Sequence, residues 1–558
     1  MFVSRKGGHD IVGKDGILAT LGKSRSGPAS GSKRRYFVGA LGAVVVLVAV
    51  LLLFAVGVVG CGGGGGSSTE SIMTFATAFA ANESMDPNKD QYGFTTDENV
   101  YERLVSYNAL TNKYNPQLAT SWDISSDGLT WTFHLRNGVK FQDGTAFDSA
   151  AVKFSYDLAA KGGVAYHLVM VDSIATPDAS TVVFKLKYGY PLLYSLCWTP
   201  FIVSPTAVNK LGDNAYQPGG NAGTGPYMLK TVNTTVETTM TRNPNYWGGW
   251  SGDHAKCPQI AIIRSITEPA TRVQNLEQGV VQLIDPTPET DVDRVNSTGK
   301  FKVVVTPTAN QLAAHLNCQL APTDDQNFRL ALYYAMPYED ICKLGFGGYA
   351  TAMSGFIASP FPGYDKQVSA MGTNKQDMAK AKEYLAKSKY PNGGVTVSCS
   401  TDNASPEGMR AMELYKTALA ELNVTLDVQP LDIGVIFQDA MSDKPTKNMV
   451  VIGEPGLADG VGTLEMDLQS GSAYNLSKWK NDDIDKLIAD AYAIMTNDPG
   501  KATDMLIQAD KIAMEQMPII LVCNNDDLPA VSTKIKGFAG FTDPDFMIPH
   551  FYEYSMEQ

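Results

Sequence analysis

The chain has 558 residues, more than one hydrophobic core usually holds, so two or more lobes are expected. Hydrophobic residues make up 44% and charged residues 18%, which excludes a disordered chain. The formal net charge is -13, and the first 60 residues hold eight Lys or Arg against two acids, so the remainder is more acidic still. Such a surface repels nucleic acid, and no nucleic-acid partner is expected.

The first element is an export segment. Tyr36 to Gly60 carries no charge and comes directly after Lys33-Arg34-Arg35. Basic residues stay on the cytoplasmic side, so the chain beyond residue 61 lies outside the cytoplasm. The apolar run is also long enough for a spanning helix, which needs ~20 residues. Cleavage and retention as a membrane helix therefore both stay open, as does the export route. Residues 62–68 are five Gly and two Ser, a flexible tether. Six further cysteines (Cys197, Cys257, Cys318, Cys342, Cys399 and Cys523) form no Cys-x-x-Cys pair, so zinc and redox motifs have little support. Their pairing is left open.

The body begins near Ser71 with an alternating strand, Ser71-Ile-Met-Thr-Phe-Ala-Thr-Ala. Val100, Leu104 and Val105 at helical spacing predict a helix over Glu98 to Tyr107. From Ser121 the pattern is strand, Asp127-Gly128 turn, then a strand through Leu129, Trp131, Phe133 and Leu135. Trp122, Trp131 and Phe133 are expected to face a core, and His134, within that strand pattern, to be a satisfied structural residue. Asp148 to Leu158 reads as a helix, and strand-rich sequence continues to about residue 245. Next come a strand at Gln259–Ile266 and a helix at Pro269–Gln278. Helices are then expected at Phe328–Met336, Met378–Ala386, Ser405–Leu422, Asp482–Ile494 and Asp498–Glu515. Strands at Val395–Ser400, Thr425–Pro430 and Met449–Ile452 lie between them. This is α/β organisation. No zincin motif, nucleophile elbow or phosphate loop is present, and the six histidines are scattered singly. The expectation is a non-enzyme with no cofactor and no metal.

Several segments together resemble one family. They are Val100-Tyr-Glu-Arg-Leu-Val105, Pro116-Gln-Leu-Ala-Thr-Ser-Trp122 and the run Asp127 to Gly144. Then come Gly223-Thr-Gly-Pro-Tyr227, Arg242-Asn-Pro-Asn-Tyr-Trp247, Phe328-Arg-Leu-Ala-Leu-Tyr-Tyr-Ala335 and Lys478 to Leu487. In this order they resemble the family 5 oligopeptide- and dipeptide-binding proteins of ABC importers. The physical reading of the motifs is mainly structural, with Arg136 and Arg242 tying loops down.

The resemblance implies a two-lobed periplasmic-binding-protein-like α/β fold of type II, with an extra subdomain on the first lobe and a ligand cleft between the lobes. The implied division is an export segment at 1–61, a linker at 62–70, lobe 1 at 71–317 with a return at 524–558, and lobe 2 at 318–523. Crossings are expected near Leu316-Asn-Cys318 and Leu521-Val-Cys523. Val58-Val59-Gly60-Cys61 resembles a lipobox, which makes Cys61 the first mature residue and the lipid anchor on the extracytoplasmic face. The implied partners are a peptide or small-molecule ligand and the permease and ATPase subunits of the importer, with the receptor itself a monomer.

In peptide-binding members a second-lobe Asp in a Trp-x-Ala-Asp context pairs with the ligand's amino group. The matching segment here is Gly453-Glu-Pro-Gly-Leu-Ala-Asp459, with Gly456 where the Trp stands. Asp459 is thus a ligand residue or an exposed loop carboxylate, and Leu457 lies in the same loop. Tyr92 lies where the first lobe reaches the ligand, or packs on the surface. Asn524 offers amide hydrogen bonds to a polar solute or caps its strand. Sugars or metal chelates as ligands, and a sensor or adhesion protein that keeps the fold without transport, remain the alternative readings.

Overall fold

Two large mixed sheets carry the molecule. The computed structural model describes residues 70–558 except 79–84, 90–93, 109, 112, 163, 360–362, 457–460, 542–547 and 558. The export segment, Cys61 and the tether lie outside these residues. None of the described helices is long and apolar enough to cross a membrane.

The first sheet has seven strands in the order Phe301–Val303, Ala530–Ser532, Leu283–Asp285, Ile72–Thr77, Ile260–Ser265, Glu237–Arg242 and Tyr227–Asn233. Ile72–Thr77 runs parallel to both its neighbours. The second sheet has six strands in the order Ala350–Ala352, Ile519–Asp527, Thr306–Leu316, Met449–Glu454, Val395–Asp402 and Val424–Leu431. A separate four-stranded antiparallel sheet, Ala119–Ile124, Thr130–Leu135, Thr181–Leu186 and Val171–Asp178, is the extra subdomain. The fold is α/β and two-lobed, one large sheet per lobe.

Both faces of the six-stranded sheet are covered. Leu312, Ala314 and Leu316 pack with helices Gln326–Ala335 and Pro406–Ala420 on one face. Ala313, Ile519 and Leu521 pack with Asp482–Met495 and Pro499–Gln516 on the other. A strand buried on two faces reads as a continuous apolar run rather than an alternation, as Ile519 to Cys523 does. Helix starts coincide with their caps. Asp148, Asp325, Ser405 and Asp498 each accept a hydrogen bond from a backbone N–H of the first turn.

The shared motifs meet at one node. Gly223 and Gly225 pass against Val100, where a Cβ on Gly223 would lie 2.0 Å from the Val100 carbonyl oxygen. Gln142 Nε2 donates to the carbonyls of Val100, Gly225 and Tyr227. Glu102, fully buried, accepts from Tyr246 Oη and Trp247 Nε1, and Arg136 stacks over the Trp247 ring. Arg242 donates to the carbonyls of Ala255, Cys257 and Pro258, so it ties a loop down as expected.

Two local expectations change. The helix falls at Phe94–Val100, and Val105–Asn108 is instead a strand paired with Lys113–Pro116. Leu104 and Val105 are buried by tertiary packing that overrides the helical spacing. Trp131 and Phe133 are buried as expected, but His134 points the other way, half exposed and paired with Asp123. The period-2 alternation that buries Trp131, Phe133 and Leu135 dictates this. None of the six described cysteines is in a disulfide.

Gly223→Ala should force the motif node apart and cost ~1–3 kcal/mol of stability. Urea denaturation should show a lowered midpoint without a new transition.

Candidate solute site

The chain changes sheet twice. It leaves the seven-stranded sheet after Val303 and enters the six-stranded one at Thr306; it returns between Asp527 and Ala530. The two strands that begin and end this excursion, Thr306–Leu316 and Ile519–Asp527, pair antiparallel with each other. Leu316 and Leu521-Val-Cys523, expected from the sequence as crossings, lie at the far end of the first strand and within the second.

Beside the sheet change the ladder is interrupted, with a register shift between Pro307 and Gln311. A bulge leaves carbonyls without ladder partners. Asn524 supplies them, since its Nδ2 donates to Thr308 O at 2.7 Å and Asn310 O at 2.8 Å. The Thr308 hydroxyl donates to Asn525 O at 2.8 Å. The third carbonyl of the bulge, Ala309 O, accepts from Gly456 N at 2.9 Å. A Cβ at Gly456 would lie 2.4 Å from that oxygen, so only glycine allows the approach. Gly456, the last described residue before 457–460, is therefore the point at which the chain leaving Met449–Glu454 docks on the crossing strand.

Of the residues named from sequence, Asn524 is described and sits at this bulge, with both amide donors engaged by backbone. Tyr92, Leu457, Asp459 and Cys61 lie outside the described residues. Residues 457–460 leave directly from Gly456, and the chain is described again at the helix Val461–Leu468.

Sequence reasoning missed the polar groups that line the base of this loop. Glu454, two residues before Gly456, accepts from Gln311 Nε2 at 3.0 Å, and its second oxygen is 3.0 Å from His315 Nε2. Asp467, from the helix after the loop, completes the group. Burial, then the charge of Glu454, pushes the Asp467 carboxyl well above its ordinary range. The available signal was Gln311 and His315 recurring on one face of the otherwise apolar stretch Gln311 to Leu316.

At the other end of the bulge two acids face each other. Asp285 ends a strand of the first sheet and Asp527 ends the crossing strand. Burial first, then the charge of Asp527, raises the Asp285 carboxyl; burial raises Asp527 to about 6. Both oxygens of Asp285 and one of Asp527 lack a conventional donor, which a proton shared between the two carboxyls explains. These groups offer hydrogen bonding and negative charge, and they contain no nucleophile–base pair of a catalytic kind.

A family model, "Bacterial extracellular solute-binding proteins, family 5 Middle", matches residues 113–504. The chain belongs to the family 5 solute-binding proteins. Among curated relatives, the glutathione-binding protein GsiB of Escherichia coli is 28% identical over 446 residues, covering 77% of this chain and 84% of that one. Among solved structures, the periplasmic binding protein DppA of Helicobacter pylori, in complex with the peptide STSA, superposes with a TM-score of 0.72 at 23% identity. That match covers 88% of this chain and 99% of the other. The substrate-binding protein CtaP of Listeria monocytogenes superposes at 0.77 with 20% identity, covering 88% and 100%. As a family 5 protein, the chain is an extracytoplasmic solute-binding receptor.

Asn524→Ala should leave two bulge carbonyls without donors and cost ~1–3 kcal/mol, read by urea denaturation. The Asp285–Asp527 pair sets a pH dependence. An unfolded Asp titrates near ~3.9, so the folded state holds a proton that the unfolded state releases. The pair's contribution to stability should be fully present below that value and be lost as pH rises through about 6. Thermal melts across this range should show a shallower fall in Asp285→Asn.

Proposed function

We propose that the protein is the receptor of an ABC importer and captures a peptide, or a related small polar solute bearing an amino group, between its lobes. It passes the solute to a membrane permease powered by an ATPase, and works as a monomer tethered to the outer face of the membrane by lipid on Cys61. The observation that carries this reading is the docking of Gly456 on the bulge of the crossing strand. Gly456 directly precedes Leu457 and Asp459 in the sequence, which supports giving these two residues a part in the site. On this reading a solute bound there lies close to the strands that cross between the two sheets.

The amine preference rests on the chemistry around the loop. Asp459 supplies a carboxylate suited to an ammonium, and a charge-assisted pair is directional. Asp285, Asp526, Asp527, Glu454 and Asp467 make this part of the molecule rich in acids. The relatives' names point to ligands of the same kind: a glutathione-binding protein and a structure holding the peptide STSA. The missing Trp removes an apolar wall, which favours a polar solute over a bulky aromatic one. Tyr92 is assigned to the first-lobe side of the same cleft.

Asp459→Asn should weaken binding of an amino-bearing peptide by ten- to a hundredfold, the loss of ~1.5–3 kcal/mol expected for one hydrogen bond to a charged group. Calorimetry against a peptide panel checks this, and unchanged affinity would remove Asp459 from the site. If no solute in a broad panel stabilises the protein or compacts it in solution scattering, the importer reading fails. Mass spectrometry of the membrane-extracted protein should find a diacylated N-terminus at Cys61; an intact residue 1 would assign the anchor to a retained helix.

A further inference from the structure

The group at the base of the loop has a composition that hydrogen bonding alone does not account for. His315, Glu454 and Asp467 each present one potential ligand atom, and the three atoms lie within 4.8 Å of one another. They come from three separate elements: the strands Thr306–Leu316 and Met449–Glu454 and the helix Val461–Leu468. His315 and Asp467 are each 1% exposed, and neither His315 Nδ1 nor Asp467 Oδ2 has a hydrogen-bond partner. Neither carboxylate forms an ion pair with a Lys or Arg among the described residues. Two acids thus converge with one imidazole, and the elements that carry them also contribute Ala313, Leu464 and Leu468 to a buried apolar cluster. Buried polar groups left in that condition are costly unless something positive lies between them.

We propose that His315, Glu454 and Asp467 form a binding site for a divalent first-row transition cation, of which Zn2+ is the representative probe. One nitrogen and two carboxylate oxygens are an accepted donor set for such ions, and the two carboxylates balance the dication's charge. Ligands bound to one ion at ~2.1 Å stand at most ~4.2 Å apart, so the group needs to contract only slightly. The His315–Glu454 edge, at 3.0 Å, is already within that limit. Gln311 Nε2 holds the other oxygen of Glu454, an outer hydrogen bond of the kind that orients a ligating carboxylate. Asp467 lies in the last turn of its helix, where backbone carbonyls add negative potential favourable to a cation. An ion here joins the strand that precedes the Gly456 loop to the helix on its far side, and so fixes both ends of the loop. The site is independent of the identity of the solute.

The test uses the full chain purified in detergent, stripped with a chelator and titrated with Zn2+ in the absence of solute. One equivalent should bind and raise the thermal midpoint. His315→Gln and Asp467→Asn should each weaken Zn2+ affinity at least tenfold and remove that rise. Equal binding by the wild type and both variants, or no binding by the wild type, would overturn the assignment. Should either variant fail to fold, X-ray absorption on the Zn2+-loaded wild type decides. Imidazole scattering with a nitrogen and oxygen inner shell is expected, and an oxygen-only shell would sink the proposal.

Discussion

The antiparallel pairing of Thr306–Leu316 with Ile519–Asp527 is the constraint that governs the relation between the lobes. A chain that leaves one sheet, builds a second and returns must cross the gap between them twice, and each crossing exposes backbone N–H and C=O groups. Placing the two strands side by side lets each satisfy the other. The pairing extends past the strands, since Val304 N donates to Pro529 O and Thr287 N to Leu528 O. The links between the two sheets are thereby short, Val304–Val305 on one strand and Leu528–Pro529 on the other. Pro529 has a fixed φ, which narrows the freedom of the second link.

The bulge beside this junction converts a defect in the ladder into an attachment point. Thr308, Ala309 and Asn310 turn their carbonyls away from ladder pairing, and Asn524 and Gly456 take them up. Gly456 is therefore tied to the crossing strand itself.

Much of this architecture was legible in the amino-acid sequence because it rests on local chemistry. Asp127-Gly128 and Asp143-Gly144 are turns with positive φ at the glycine, and the capping Asp and Ser residues mark the helix starts. The stretch at 98–107 misled because Val100, Leu104 and Val105 are buried by different partners, Val100 against the first sheet and the others against the subdomain. Helical spacing arose there from two unrelated packing demands. The polar group at the base of the loop was out of reach for a different reason. His315 and Glu454 are 139 residues apart, and no spacing rule connects side chains that only a sheet register brings together. Asn524 shows the intermediate case: a ligand contact and a structural cap were both readable, and its geometry at the bulge favours the cap.

Two buried acidic groups flank the crossing strands, and their surroundings differ in a way that matters. At Asp285 and Asp527 the partners are two carboxyls across a sheet junction, and one proton suffices to hold them together, as in any pair of acids that cannot both ionise. At Glu454 and Asp467 a third member, His315, adds a nitrogen with a lone pair, and the three ligand atoms converge rather than merely oppose. The imidazole N–H can serve one carboxylate and a proton on Asp467 can serve one further contact, but neither holds all three ligand atoms at once. A dication can, because its coordination is not limited to a line between two atoms. The same desolvation cost thus has two different remedies at the two ends of the bulge. The geometry of the acceptors, more than their number, separates a pH-dependent contact from a metal site.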